Sequence, residues 1–89
     1  MVQKTVLFSG RVQGVGFRYI THTLSNDYQV TGYVKNLPDG RVEAVIEGDQ
    51  LEIDRFINAI QAEMEDHIQE IHVTESPVSG QYEAFDVRF

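Results

Sequence analysis

Apolar and β-branched residues cluster from Lys4 to Val12, with Val6, Leu7 and Phe8 at the centre, and this run predicts a first strand over 4–12. The period then changes. Phe17, Ile20, Leu24 and Tyr28 fall at i, i+3, i+7 and i+11, one face of a helix over about 17–28. Val30 to Leu37 returns to strand formers. Pro38-Asp39-Gly40 then makes a turn: proline presets φ, the aspartate can bond the local backbone, and the glycine tolerates positive φ. Val42, Ala44 and Ile46 alternate with Glu43 and Glu47, so a third strand closes a hairpin with glutamates on its polar side.

Gly48 stops that strand, and Asp49 with Glu52 three residues on has the form of a capping box. Ile53, Phe56, Ile57, Ile60 and Met64 form the stripe of a second helix. A weaker alternation over 68–74 (Ile68, Ile71, Val73) predicts a fourth strand, which Ser76-Pro77 and Ser79-Gly80 should end. Tyr82 to Phe89 alternates again, with Phe85, Val87 and Phe89 on one side. The order β-α-β-β-α-β, then β, predicts an α+β fold of ferredoxin-like type. Two singly striped helices should cover one face of a mainly antiparallel sheet, with strands one and three adjacent at its centre and polar residues on the other face.

Composition narrows the partners. The 89 residues suffice for one domain, expected to span 1–89. There is no long apolar run to cross a membrane and no charged-then-apolar leader, so a cytoplasmic protein is expected. With no cysteine there is no disulfide, thiolate metal site or cysteine nucleophile. A net charge of −7 argues against nucleic acid, whose binding rests on Lys and Arg. The charge is uneven: residues 1–41 carry +3 and residues 42–89 carry −10.

The positive half holds Gly10-Arg11-Val12-Gln13-Gly14-Val15-Gly16-Phe17-Arg18. A glycine loop between a strand and a helix start leaves backbone N–H groups without intrachain partners, at the positive end of a helix dipole. Arg18 adds a charged fork of donors suited to phosphate oxygens. Alone, this is only a possible anion cradle. It lacks the third glycine of a dinucleotide fingerprint and the Gly-Lys-Ser/Thr of a Walker loop.

Two segments together are more specific. The loop above and Gly32-Tyr33-Val34-Lys35-Asn36-Leu37-Pro38-Asp39-Gly40-Arg41-Val42-Glu43-Ala44-Val45-Ile46-Glu47-Gly48 closely resemble the two signatures of the acylphosphatase family. The likeness spans nearly the whole chain. It departs at Ser25, Tyr28 and Gln29, where the family pattern has Ala, Leu and a helix-stopping Gly. The resemblance implies hydrolysis of the carboxyl–phosphate bond of a small-molecule acyl phosphate, releasing a carboxylate and inorganic phosphate. It implies that Arg18 binds the phosphoryl group, that the amides of Gln13, Gly14, Val15, Gly16, Phe17 and Arg18 cradle its oxygens, and that Asn36 positions the attacking water. No metal or organic cofactor is implied, and a monomer is expected. In some members the terminal carboxylate, here on Phe89, reaches the arginine.

Other groups read as ordinary structure. His22, His67 and His72 match no zinc spacing. Arg11, Lys35 and Arg41 read as surface or steering charges, and Tyr33 and Phe17 as packing residues. A non-catalytic anion-binding or regulatory module could keep the loop and Arg18 but would not need Asn36. An RNA-binding domain of this fold would need a basic, aromatic sheet face. A domain of a larger carbamoyl-transferring factor would carry further domains beyond the 89 residues.

Overall fold

The computed structural model describes residues 1–89. Its elements are β1 (Val2–Gly10), α1 (Phe17–Ser25), β2 (Val30–Asn36), β3 (Val42–Gly48), α2 (Gln50–Glu63), β4 (Ile68–Pro77) and β5 (Phe85–Arg88). They form one sheet of order β4-β1-β3-β2-β5. All pairings are antiparallel except β5, which adds to β2 in parallel. The ferredoxin-like expectation holds, with β1 beside β3 and two helices over the sheet.

Alternation sorts the strands into two faces. Val6 and Phe8 of β1, Val42, Ala44 and Ile46 of β3, and Val30 and Val34 of β2 are buried against the helices. From α2 come Ile53, Phe56, Ile57 and Ile60, followed by Met64, as its stripe predicts. Phe8 meets Phe17 of α1 with ring centroids 4.9 Å apart, which ties the helix start to the central strand. Burial of such a side chain contributes about 1.5–3 kcal/mol.

Several boundaries differ from the sequence reading. β1 ends at Gly10, not Val12, yet Val12 is fully buried within the loop that follows. α1 stops at Ser25 rather than 28. The amides of Asn26, Asp27 and Tyr28 donate to carbonyls three residues back, a tightened helix end. Tyr28 still packs on Phe56, at 5.6 Å. The fully buried side of α1 is Phe17, Thr21 and Ser25, so the stripe is rotated from its apolar residues. Small side chains at 21 and 25 let the helix approach its neighbours closely, which hydrophobic periodicity does not register.

Asp49 is the N-cap of α2 but makes no side-chain capping bond. Glu52 instead accepts from the amide of Gln29 across the fold, at 3.0 Å. β4, the outer strand, runs on to Pro77, which pairs with Val2 of β1. An edge position tolerates proline because no outward N–H is needed there. β5 is only four residues long, and Phe89 lies beyond it, fully exposed.

The second face is less open than its polar residues predict. Glu47 is 2% exposed. It accepts hydrogen bonds from Ser79 N (2.8 Å), Ser79 Oγ (2.7 Å), Gln3 Nε2 (2.6 Å) and Gly80 N (3.0 Å). Burial pushes its carboxyl upward, but these bonds outweigh burial and hold it below the usual 4.5. Residues 78–84 are thereby pinned over the sheet, and Tyr82 stacks on Tyr33 at 5.9 Å.

Candidate active site

The sheet register decides which residues meet. Phe8 lies opposite Val42, Val42 opposite Asn36, and Lys35 beside Arg88. The end of β1, the end of β2, the β2–β3 turn and the end of β5 therefore share one edge of the sheet. The loop 11–16 and the first turn of α1 sit there. Asn36 follows Val34 by two residues, so it continues the helix-facing side of β2 out to the mouth of the core.

The loop is shaped by Gly14 and Gly16, at φ 77° and 79°, the left-handed region that favours glycine. Gly16 is the N-cap of α1 and supplies no side-chain cap. None of the amides from Gln13 through Tyr19 donates to a protein acceptor; the first helical bond is Ile20 N to Gly16 O, at 3.0 Å. A Cβ built on Gly14 or Gly16 would meet no atom within 4 Å. Consecutive free amides thus border open space at a positive helix end.

The Gln13 side chain has a part that the sequence does not suggest. Its side chain turns away from the cleft and donates to the carbonyls of Leu37 (2.8 Å) and Arg41 (2.9 Å). The turn it grips is internally tied. Leu37 N donates to Arg41 O at 2.8 Å, and Asp39 accepts from the Arg41 backbone and guanidinium at 3.0 and 2.8 Å. Those Arg41 bonds hold the Asp39 carboxyl below its ordinary value.

Arg18 is the second residue of α1. Its Nη1 donates to Arg88 O at 3.1 Å, and its guanidinium lies 4.7 Å from the centre of the Phe89 ring. The expected contact with the Phe89 carboxylate is not formed, because Arg18 has no carboxylate within 4 Å. The ring and a carbonyl hold it instead, so its positive charge is left unpaired. Arg88 is held in turn. Its guanidinium sits 4.0 Å over Tyr33 and 5.8 Å from Tyr82, and Tyr33 Oη donates to Glu43 at 2.9 Å. Burial, then the bond to Glu43, pushes the Tyr33 phenol up to about 12, so it stays a donor at any physiological pH.

Gly14, Gly16, Phe17, Arg18 and Asn36 line one cleft of about 350 Å³. Val15 packs against the core instead. The Asn36 carboxamide makes no hydrogen bond to protein, so both its donor and acceptor are available. The remaining walls are Val12, Tyr19, His22, Val87 and Phe89. Of these, Tyr19 and Val87 carried no functional signal in the sequence. His22 stands four residues after Arg18, on the same helix side, and that spacing was the available clue.

Interleaving of the strands mixes the positive and negative halves of the chain in space. Lys4 pairs with Asp54 at 2.6 Å and Arg41 with Asp39 at 2.8 Å, away from the cleft. Arg18 is the one lysine or arginine lining it. The positive charge at the cleft is therefore local.

The sequence model of the acylphosphatase family matches residues 4–87. An acylphosphatase of Archaeoglobus fulgidus is 37% identical over 90 residues, covering all of both chains. One of Methanospirillum hungatei is 41% identical, covering 99% of this chain and 98% of the relative. The crystal structure of acylphosphatase from Bacillus subtilis superposes with a TM-score of 0.88 at 33% identity, with both chains fully covered.

Proposed function

Since the chain belongs to the acylphosphatase family and is an acyl phosphate hydrolase, we propose that its cleft divides the reaction between a phosphate cradle and a water-positioning amide. The amides of Gln13, Gly14, Val15, Gly16, Phe17 and Arg18, with the Arg18 guanidinium, hold the phosphoryl oxygens. Asn36 accepts a hydrogen bond from the attacking water and aims it at phosphorus. The observation that carries this reading is the shared cleft: free amides, an unpaired guanidinium and a free carboxamide face the same space.

An acyl phosphate is a mixed anhydride, and the departing carboxylate is a good leaving group. Strong nucleophile activation is unnecessary, and phosphoryl transfer rests mainly on positioning and charge stabilisation. Water oxygen bonds to phosphorus as the bond from phosphorus to the acyl oxygen breaks. The electron pair leaves with the carboxylate, and the water proton passes to a phosphate oxygen. Asn36 is too weak a base to take that proton, so its role is orientation. Fixed amides and a guanidinium supply the charge stabilisation in place.

On this account the enzyme works as a monomeric 1–89 domain on small molecules in the cytoplasm. It uses no metal or organic cofactor and has no nucleic-acid or membrane partner. The −7 net charge supports the exclusion of nucleic acid, and no helix is long and apolar enough to cross a membrane. The non-catalytic alternative leaves Asn36 without a task.

The test is hydrolysis of benzoyl phosphate, followed spectrophotometrically with chelator present. Wild type is expected to turn over without added metal. Arg18→Ala, which removes the charged partner of a desolvated anion, is expected to lose about 3–5 kcal/mol, or two to three and a half decades in rate. Full activity in that variant, or dependence of the wild type on added metal, would overturn the assignment.

A further inference from the structure

The cleft is larger than its phosphate end, and its remaining walls, His22 apart, are apolar or aromatic. We propose that Val12, Tyr19, Val87 and Phe89 form a subsite for the acyl group, and that it favours apolar acyl chains, flat or branched, over charged ones. The inference rests on the hydrolase reading and names its substrate class.

Free amides and Arg18 account for one side of the cleft, around Gly14 and Gly16. Val12, in the same loop, is fully buried and backs the cleft with an apolar side chain. Tyr19 and Phe89 stand exposed at 76% and 101%. Two aromatic rings left in water beside a reactive site gain by covering a bound group. The Phe89 ring also meets the Arg18 guanidinium, which lies 4.7 Å from its centre. One ring thus both borders the acyl space and flanks the phosphate-binding charge.

The charge inventory points the same way. No lysine and no side-chain carboxylate lines the cleft. Arg18 already answers the phosphoryl group, and His22 is the only other titratable side chain there besides the Tyr19 phenol. An acyl group bearing a second carboxylate would lose hydration and find no dedicated cation. An acyl group bearing methylenes would lose only its contact with water.

The test uses the whole enzyme and a series of acyl phosphates whose leaving carboxylates have similar basicity: acetyl, propionyl and butyryl phosphate, with succinyl phosphate as the charged member. Chain length then changes burial and not the leaving group. From acetyl to butyryl, kcat/KM is expected to rise about tenfold, carried mainly by KM, given the 10–200-fold attainable per methylene in a closed pocket. Succinyl phosphate is expected to fall below butyryl phosphate. In Tyr19→Ala and Phe89→Ala the rise should flatten to about twofold or less. Inhibition by inorganic phosphate should be unchanged in Tyr19→Ala, which separates the subsite from the cradle. A flat series in wild type, a preference for succinyl phosphate, or an undiminished slope in both variants would overturn the subsite. Absence of hydrolysis across all four substrates would instead remove the hydrolase reading beneath it.

Discussion

Gln13 grips Leu37: the side-chain amide of the loop residue donates to the carbonyl of the turn residue at 2.8 Å, and to Arg41 O beside it at 2.9 Å. The glycine loop and the strand end carrying Asn36 come from separate parts of the chain. This side chain ties them together, and the proposed in-line attack on phosphorus requires their spacing to be kept. Misplacement by about 1 Å can cost a hundredfold in rate.

Gln13→Ala therefore loses two hydrogen bonds to main-chain carbonyls, although Leu37 O still accepts from Gly40 N and Arg41 O from Leu37 N. Stability is expected to fall by about 1–3 kcal/mol. Turnover is expected to fall about ten- to a hundredfold, and more than affinity for inorganic phosphate. Urea titration and steady-state kinetics check both parts. An unchanged kcat would mean that the loop and the turn are held by other contacts.

Two glycines should respond very unequally to the same change. Gly16→Ala meets no atom within 4 Å, so its cost is the left-handed backbone alone, about 1–2 kcal/mol. Gly32→Ala would place its Cβ 1.8 Å from the carbonyl oxygen of Val45 on the neighbouring strand. That variant must separate β2 from β3 and is expected to lose several kcal/mol, the range of severe overpacking. Melting temperatures of the two, side by side, test the strand contact. Comparable values would show that the sheet yields more easily than its register implies.

Glu47 should give the fold an acid-side weakness. Its carboxyl is held below 4.5 in the folded protein by the Ser79, Gln3 and Gly80 bonds that outweigh burial. A depressed folded value means the contribution is complete above about 4.5 and is lost as pH falls through the folded value. Glu47→Gln removes the charge and confronts the amides of Ser79 and Gly80 with an NH₂ group or a single carbonyl. At neutral pH it is expected to be about 1.5–3 kcal/mol less stable than wild type. The gap should narrow below pH 4.5. Denaturation curves from pH 7 to 3 give the difference directly, and a gap independent of pH would show that the carboxylate is not what pins residues 78–84.

Much of this was legible in the sequence because local chemistry and tertiary structure agree there. The stripe Ile53, Phe56, Ile57, Ile60 and Met64 faces the core as its spacing predicts, and the Pro38-Asp39-Gly40 turn closes the hairpin. Arg18 stands out from the glycine loop and its own charge and Asn36 through the family resemblance, and both line one cleft. What was missed depends on contacts between distant residues. Gln13 acts through its side chain on a turn 24 residues away. Glu47 was assigned to a solvated face, but residues 78–84 cover it, and no period in β3 encodes that. Thr21 and Ser25 are buried because they are small, a property hydropathy does not capture. Phe89 meets Arg18 with its ring rather than its carboxylate, a choice set by where β5 ends.

The central claim is the division of labour between Arg18 with its loop and Asn36. It is tested most directly by comparing kcat with the inhibition constant of inorganic phosphate in Asn36→Ala. The cradle is intact in this variant and the water loses its guide. The account predicts a fall in kcat of about a hundredfold with phosphate affinity within about twofold of wild type. Equal losses of turnover and phosphate affinity would contradict it, since Asn36 would then belong to the cradle.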